Sequence, residues 1–212
     1  MKSKRNFRSL LSLLLVSTLF ASAANGLPSS GALPGWEPSI MPFDYTFNGR
    51  SLTGDIDYAV YEEYPGTAPS GGQYVYAYQI INSELSDVSI DSFSVGILEG
   101  TSVGDIGSDL YQVADGVEPS FAYFSPDAQA AQSAIYLFLP HVGGLVGSAQ
   151  NSAILLFSSD KTPTEGFGVI EGGGIGRIVE GLPTPSPAPE PATIFLFGTG
   201  AILVTLTRKR PI

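Results

Sequence analysis

Few side chains in this sequence are suited to catalysis. The chain has no cysteine and a single histidine, His141, which stands between Pro140 and the pair Gly143–Gly144. A Ser-His-Asp triad would have to use that histidine, but no serine lies in a Gly-x-Ser-x-Gly setting. A histidine-based zinc site would lack a second histidine. The sequence therefore predicts an exposed turn histidine and a protein that is not an enzyme.

Carboxylates are the other candidates for acid–base chemistry. Glu62 and Glu63 are adjacent, so on a strand their side chains would point to opposite faces. They do not form the facing pair that glycoside hydrolysis requires, unless a distant acid joins one of them. A secreted hydrolase thus remains an alternative that depends on two distant carboxylates meeting across a cleft.

Two acids in a glycine-rich loop suggest a weak calcium site. Asp105 and Asp109 lie in Gly-Asp-Ile-Gly-Ser-Asp, and calcium takes oxygen ligands from loops of this kind. The ligand positions of a calcium-loop consensus are missing between them. A solvated turn is favoured, and no cofactor other than this calcium ion is predicted.

Aromatic side chains offer a further binding chemistry. Tyr58, Tyr74, Tyr76 and Tyr78 would form a platform for sugar rings if they were exposed together. The same tyrosines would fill a core if their strand were central, and this is the favoured interpretation.

Charge is distributed unevenly along the chain. Residues 24–188 carry three basic and nineteen acidic side chains, a net charge of −16, and the other seven basic residues lie at the two ends. A surface this acidic repels phosphate backbones, so nucleic acid is excluded as a partner.

The amino-terminal end has the three parts of a secretory signal peptide. Four basic side chains precede residue 9, residues 10–20 are almost wholly apolar, and small residues follow at 21–24. An apolar run of about 11 residues is too short to span a bilayer. The sequence predicts cleavage by signal peptidase after Ala23, with Ala24 as the next choice.

The carboxyl-terminal end predicts a stalk, a membrane helix and a basic tail. Residues 182–191 alternate proline with other residues, which favours an extended stalk rather than a helix or a central strand. Residues 192–207 carry no charge and would form a transmembrane helix of about 24 Å. Residues 208–212 form a cytoplasmic tail by the positive-inside rule, with the basic cluster Arg208, Lys209 and Arg210. Residues 24–191 are then outside, in agreement with the signal peptide.

The order of these carboxyl-terminal features resembles the PEP-CTERM sorting signal of Gram-negative bacteria. Pro189, Glu190 and Pro191 precede the apolar segment, and the basic cluster comes after it. The resemblance implies processing by exosortase, a membrane-embedded cysteine transpeptidase that would cut near Pro-Glu-Pro. The mature protein would pass from an inner-membrane intermediate to the cell surface or an exopolysaccharide matrix. In that process the Pro-Glu-Pro residues are recognised rather than catalytic.

The middle of the chain, residues 24–181, reads as one secreted all-β domain. Apolar residues alternate with polar ones around Tyr45 and Ile56, and residues 73–81 are apolar on both faces, as in a central strand. Turn signals separate these runs, among them the glycines at 172–174. Together they predict an antiparallel β-sandwich of jelly-roll or immunoglobulin-like type. A short helix is predicted to follow Ser125.

The sequence therefore predicts an exported, non-enzymatic surface or matrix protein with signal peptidase, exosortase and the membrane as processing partners. Besides the secreted hydrolase, two alternatives remain open. One is a carbohydrate-binding module for exopolysaccharide, and the other is an envelope protein whose helix is never removed and which stays anchored.

Overall fold

Ten strands form the fold in the computed structural model, which describes residues 26–98, 101–111, 113–125 and 132–187. The described part contains strands and no helix. In chain order the strands are β1 Ser39–Phe47, β2 Arg50–Tyr61, β3 Tyr74–Asn82, β4 Ser92–Ile97, β5 Ile106–Asp109, β6 Phe121–Phe124, β7 Gln132–Leu137, β8 Ile154–Ser159, β9 Pro163–Gly172 and β10 Ile175–Pro185.

The strands make two five-stranded sheets in which every neighbouring pair is antiparallel. The first sheet has the order β1-β2-β3-β8-β5, and the second has the order β10-β9-β4-β7-β6. Buried side chains from both sheets belong to one cluster, so the sheets face each other as the layers of a sandwich do. The predicted all-β, antiparallel architecture is confirmed at this level.

Two hairpins are fixed by residues that tolerate positive φ. Asn48 and Gly49 connect β1 to β2 with φ of 52° and 73°, and Gly173 and Gly174 connect β9 to β10 with φ of 56° and 79°. Two-residue turns with both φ values positive match the twist of the strands they join. The turn predicted at 172–174 thus joins the last two strands of the second sheet.

Stacked aromatic rings fill the space between the sheets. The rings of Tyr76 and Phe157 lie 4.9 Å apart, and Phe93 of the second sheet packs against Tyr78 and Tyr136. β3 is the middle strand of its sheet, as its two apolar faces predicted. The hydroxyl of Tyr76 reaches the edge of the core and donates to the carbonyl of Lys161 at 2.7 Å.

A second, smaller core lies on the outer side of the first sheet. There Leu27 and Ala32 pack against the outer side of β2, and the amide of Leu33 donates to the carbonyl of Val60 at 2.7 Å along the edge of that strand. The alternation around Ile56 would place the polar residues of β2 on a solvent face, but Asp57 does not lie on one. Asp57 is only 5% exposed.

Candidate sorting site at the end of the fold

The last strand extends into the segment predicted to be a stalk. β10 continues through Leu182, Pro183, Thr184 and Pro185, and all four side chains are buried. The prediction that the stalk begins at residue 182 is therefore corrected, since these four residues belong to the sheet. Gly181, with φ of 83°, marks the register shift that precedes them.

Proline is tolerated here because β10 is the outermost strand of its sheet. Pro183 lies opposite Glu165 and Pro185 lies opposite Pro163 of β9. A proline has no amide hydrogen to donate, so it fits an edge strand but interrupts a central one. The proline pattern correctly excluded a central strand, but it did not exclude an edge strand.

Specific contacts hold this end of β10 against the core. The hydroxyl of Thr184 donates to the carbonyl of Gly96 at 2.6 Å, and the buried hydroxyl of Tyr78 donates to the carbonyl of Pro183. Burial raises the pKa of Tyr78 far above its ordinary value, so its hydroxyl remains a donor. Leu182 is fully buried in the shared core.

Glycines on β9 make room for these side chains. A Cβ at Gly166 would lie 2.3 Å from Cγ2 of Thr184, and a Cβ at Gly168 would lie 2.8 Å from Cδ1 of Leu182. Both distances are far below van der Waals contact. The two strands are thus matched in shape, and residues 182–185 are an integral part of the domain.

Among the described residues, Ser186 makes the hydrogen bonds nearest to the carboxyl-terminal end. Its amide donates to the carbonyl of Thr162 at 2.9 Å, and the hydroxyls of the two residues lie 3.2 Å apart. Only Pro187 and Ala188 separate it from the Pro-Glu-Pro sequence. An extended chain spans at most about 3.6 Å per residue, so Pro189 lies within about 11 Å of Ser186 along the chain.

The segment that follows Ser186 matches a known family model. A model described as the PEP-CTERM protein-sorting motif matches residues 187–210. The chain carries a PEP-CTERM sorting motif. The match begins directly after Ser186, so the PEP-CTERM motif starts where the fold ends. The motif implies processing by an exosortase and export towards the cell surface. No curated protein and no solved structure gave a match.

Most of the PEP-CTERM motif lies outside the described residues. This applies to Pro189, Glu190 and Pro191, to the predicted helix at 192–207 and to the cluster Arg208, Lys209 and Arg210. The predicted cleavage site at Ala23 lies outside them too. Within the described ranges, no helix has the length and apolar character needed to cross a bilayer.

The two acids proposed for calcium have structural roles in this PEP-CTERM protein. Asp109 accepts hydrogen bonds from the amides of Thr67 at 2.8 Å and Tyr111 at 3.2 Å. Asp105 accepts from the amide of Ile106 at 2.9 Å. Across the described ranges, no three His, Cys, Asp or Glu side chains are grouped so that they could hold a metal ion.

The remaining candidates from the sequence are His141, the adjacent Glu62 and Glu63, and the tyrosines, and they lie in different parts of the fold. His141 is exposed in a turn after β7, and Glu62 and Glu63 are exposed just after β2. Tyr76 and Tyr78 are fully buried, so the predicted tyrosine platform is not a surface for sugars. The favoured core interpretation of these two residues is confirmed.

Sequence reasoning missed an aromatic surface on the outer face of the second sheet. Phe121, Tyr123 and Phe167 are 53%, 41% and 43% exposed, beside Ile178 at 57%. Tyr123 and Ile178 lie in one transverse row that crosses all five strands through Ile135, Ser94 and Val169. The only sequence signal for this surface was the alternation of side chains between the two faces of β6, β7 and β9. That signal is weak because those strands are short or glycine-rich.

Gly96 shapes this surface. A Cβ at Gly96 would lie 2.7 Å from Cζ of the Phe167 ring, so the ring lies against the bare backbone of β4. An aromatic ring that covers a strand glycine in this way presents its other side to solvent. The outer face therefore carries an aromatic ring directly over the backbone of β4.

Proposed function

We propose that the chain is an exported, non-enzymatic protein of the cell surface or extracellular matrix. Signal peptidase removes residues 1–23, and exosortase recognises Pro189, Glu190 and Pro191 and cuts near them. The cut releases the apolar segment 192–207, and the β-domain passes to its place outside the cell.

The position of the fold's last contact is the observation that supports this proposal best. A cut after Ser186 leaves all ten described strands intact, because β10 ends at Pro185 and the amide of Ser186 makes the last backbone hydrogen bond in the described part of the chain. The acidic character of residues 24–188 suits a domain that remains in solvent after release. An uncut, permanently anchored protein is the alternative outcome.

The proposal is tested by labelling intact cells with antibodies raised against residues 26–187. We expect labelling of unpermeabilised cells and of the surrounding matrix, and loss of both signals in a strain that lacks exosortase. Labelling only after the cells are permeabilised would contradict export to the surface. Labelling that does not depend on exosortase would favour the permanently anchored alternative.

A second candidate function is binding of exopolysaccharide by the aromatic surface of the second sheet. The observation in its favour is that exposed rings at Phe121, Tyr123 and Phe167 lie on the same face of the second sheet. Aromatic faces pack against the apolar faces of sugar rings, and the serines of β4 offer hydroxyls between the rings.

Replacing Tyr123 and Phe167 with alanine should release the protein from purified matrix polysaccharide. Each lost aromatic contact is expected to weaken binding by about tenfold, by analogy with stacking contacts worth about 1–3 kcal/mol. Affinity electrophoresis measures the change. Phe47→Ala is the matched control, since Phe47 is 52% exposed at the far edge of the other sheet. Equal retention of all variants would exclude this surface as the binding site.

A further inference from the structure

Asp57 is a buried carboxylate with an unsatisfied oxygen. Its Oδ1 atom is buried and has no hydrogen-bond donor among the described residues. Gln79 lies directly opposite on β3, and its buried Oε1 also lacks a donor, although its amide nitrogen donates to the carbonyl of Ser152 at 3.2 Å. Opposed residues on antiparallel strands have neighbouring side chains. Each of these two paired residues therefore has a buried acceptor oxygen without a donor among the described residues.

Burial of this kind is costly unless a donor or a positive charge is supplied. Burial, with a smaller contribution from the charge of Asp55, raises the pKa of Asp57 to about 6. At neutral pH the carboxylate would still be ionised, so a proton shared with Gln79 does not satisfy it there. An uncompensated buried charge is among the most destabilising features that a fold can contain.

The amino-terminal end of the described chain lies beside this carboxylate. A Cβ placed on Gly26 would be 3.8 Å from Oδ2 of Asp57. The next residues are fixed in place, because Leu27 is buried and the carbonyl of Pro28 accepts from the hydroxyl of Tyr61 at 2.7 Å. Gly26 is therefore held against Asp57 by the residues that come after it.

Signal-peptide cleavage would create a cation at this place. Cleavage after Ala23 makes Ala24 the first residue, two positions before Gly26, and cleavage after Ala24 leaves one position. Two residues span at most about 7 Å, which keeps the new terminus within reach of the carboxylate. An α-ammonium group has a pKa near 7.7 to 8.0, so it is largely charged at neutral pH, and it carries three donor hydrogens.

We infer that Asp57, together with the side-chain oxygen of Gln79, forms a receptor for the α-ammonium group that signal-peptide cleavage creates. Before cleavage the same nitrogen is an uncharged amide, so the pair cannot form. Removal of the leader would thus complete the outer core of the first sheet and stabilise the exported form. This inference rests on the proposed removal of residues 1–23.

The test compares chains that differ by one charge. Residues 24–212 are prepared in detergent with Ala24 first, and Lys161 and Lys209 are replaced by arginine so that the α-amine alone can be acetylated. Acetylation is expected to raise the pKa of Asp57 by about 2, measured by NMR of its carboxyl carbon. It should also lower the melting temperature at pH 7 by about 5 °C or more.

Matched variants separate this contact from general effects of the terminus. In Asp57→Asn, acetylation should change the melting temperature by no more than about 1 °C. A chain with Gly-Ser added before Ala24 should behave like the acetylated chain, because its amine is displaced. If Asp57→Asn does not fold, the NMR comparison of free and acetylated chains decides alone.

An unchanged pKa of Asp57 on acetylation would overturn the inference. An equal loss of stability in Asp57→Asn would overturn it as well. The chains are prepared in vitro, so these results do not depend on whether the cell removes the leader. The mass of the native protein answers that separate question.

Discussion

A chain that ends at Gly181 should fail to fold, whereas one that ends at Pro187 should be as stable as the protein after processing. Ending at Gly181 removes the buried side chains of Leu182 and Thr184 and leaves the hydroxyl of Tyr78 without its acceptor. Loss of a buried leucine costs about 2–5 kcal/mol, and an orphaned buried hydroxyl costs about 1–3 kcal/mol more. Small domains are stable by only about 5–15 kcal/mol, so the combined loss is large enough to prevent folding.

Urea denaturation of chains that begin at Ala24 measures this difference. We expect no cooperative transition for the chain that ends at Gly181 and a single transition for the chain that ends at Pro187. Leu182→Ala in the longer chain is the intermediate case, with an expected loss of about 2–5 kcal/mol. Equal midpoints for the two truncated chains would show that residues 182–185 are dispensable and would restore them to the stalk.

Replacing Pro189, Glu190 and Pro191 with alanine should stop maturation of the exported protein. These residues lie near the start of the PEP-CTERM motif, which is matched from residue 187, and we propose that exosortase recognises them. Loss of the contacts that an enzyme makes with its substrate commonly reduces turnover by about tenfold to a hundredfold or more. The membrane-bound precursor should therefore accumulate, and the surface form should fall by at least about tenfold.

Quantitative immunoblotting of membrane and surface fractions measures the ratio of precursor to mature protein. Pro187→Ala is the matched control, since it removes a proline from the same connection but leaves Pro-Glu-Pro intact. Because Pro187 comes after the last backbone hydrogen bond, the control should not disturb the fold. Normal maturation of the triple-alanine chain would show that exosortase does not recognise these residues.

The all-β fold could be predicted from local sequence because its strongest signals are local. The two apolar faces of β3 identify a central strand, and Gly173–Gly174 supplies the positive φ values that the last hairpin needs. The interpretation of Tyr76 and Tyr78 as core residues came from the same two-faced pattern. The distinction between jelly-roll and immunoglobulin-like topology stays a prediction.

The environment of Asp57 could not be predicted, because it depends on contacts between distant parts of the chain. An acid that alternates with apolar residues on a strand is normally exposed. Here Gly26 lies beside Asp57 and Leu27 and Ala32 pack on the same side of β2, and nothing in the local pattern of β2 indicates these contacts.

The end of β10 and the start of β7 also could not be predicted from the local sequence. Pro183 and Pro185 favour a stalk until it is known that β10 lies at a sheet edge. Gln132 and Ser133, predicted as the end of a short helix, begin β7 because they pair with Ile97 and Gly96 of β4. The remainder of that predicted helix lies outside the described residues. In both cases a distant partner strand decides the local structure.

The sorting signal, in contrast, could be predicted almost completely from sequence. It depends on order and composition near one end of the chain, and a matching family model covers residues 187–210. What the structure adds is its distance from the fold, since only Pro187 and Ala188 lie between Ser186 and Pro189. The proposed recognition residues therefore lie within three positions of a residue that is hydrogen-bonded to the folded domain.

The intact mass of the native protein recovered from the cell surface is the most direct test of processing at both ends. Such processing predicts a polypeptide that begins at Ala24 or Asn25, ends between Ser186 and the start of the apolar segment at Ala192, and retains every residue of β10. Recovery of a surface form that still contains residues 192–212 would contradict processing by exosortase. A form that ends before Ser186 would contradict the assignment of residues 182–185 to the fold.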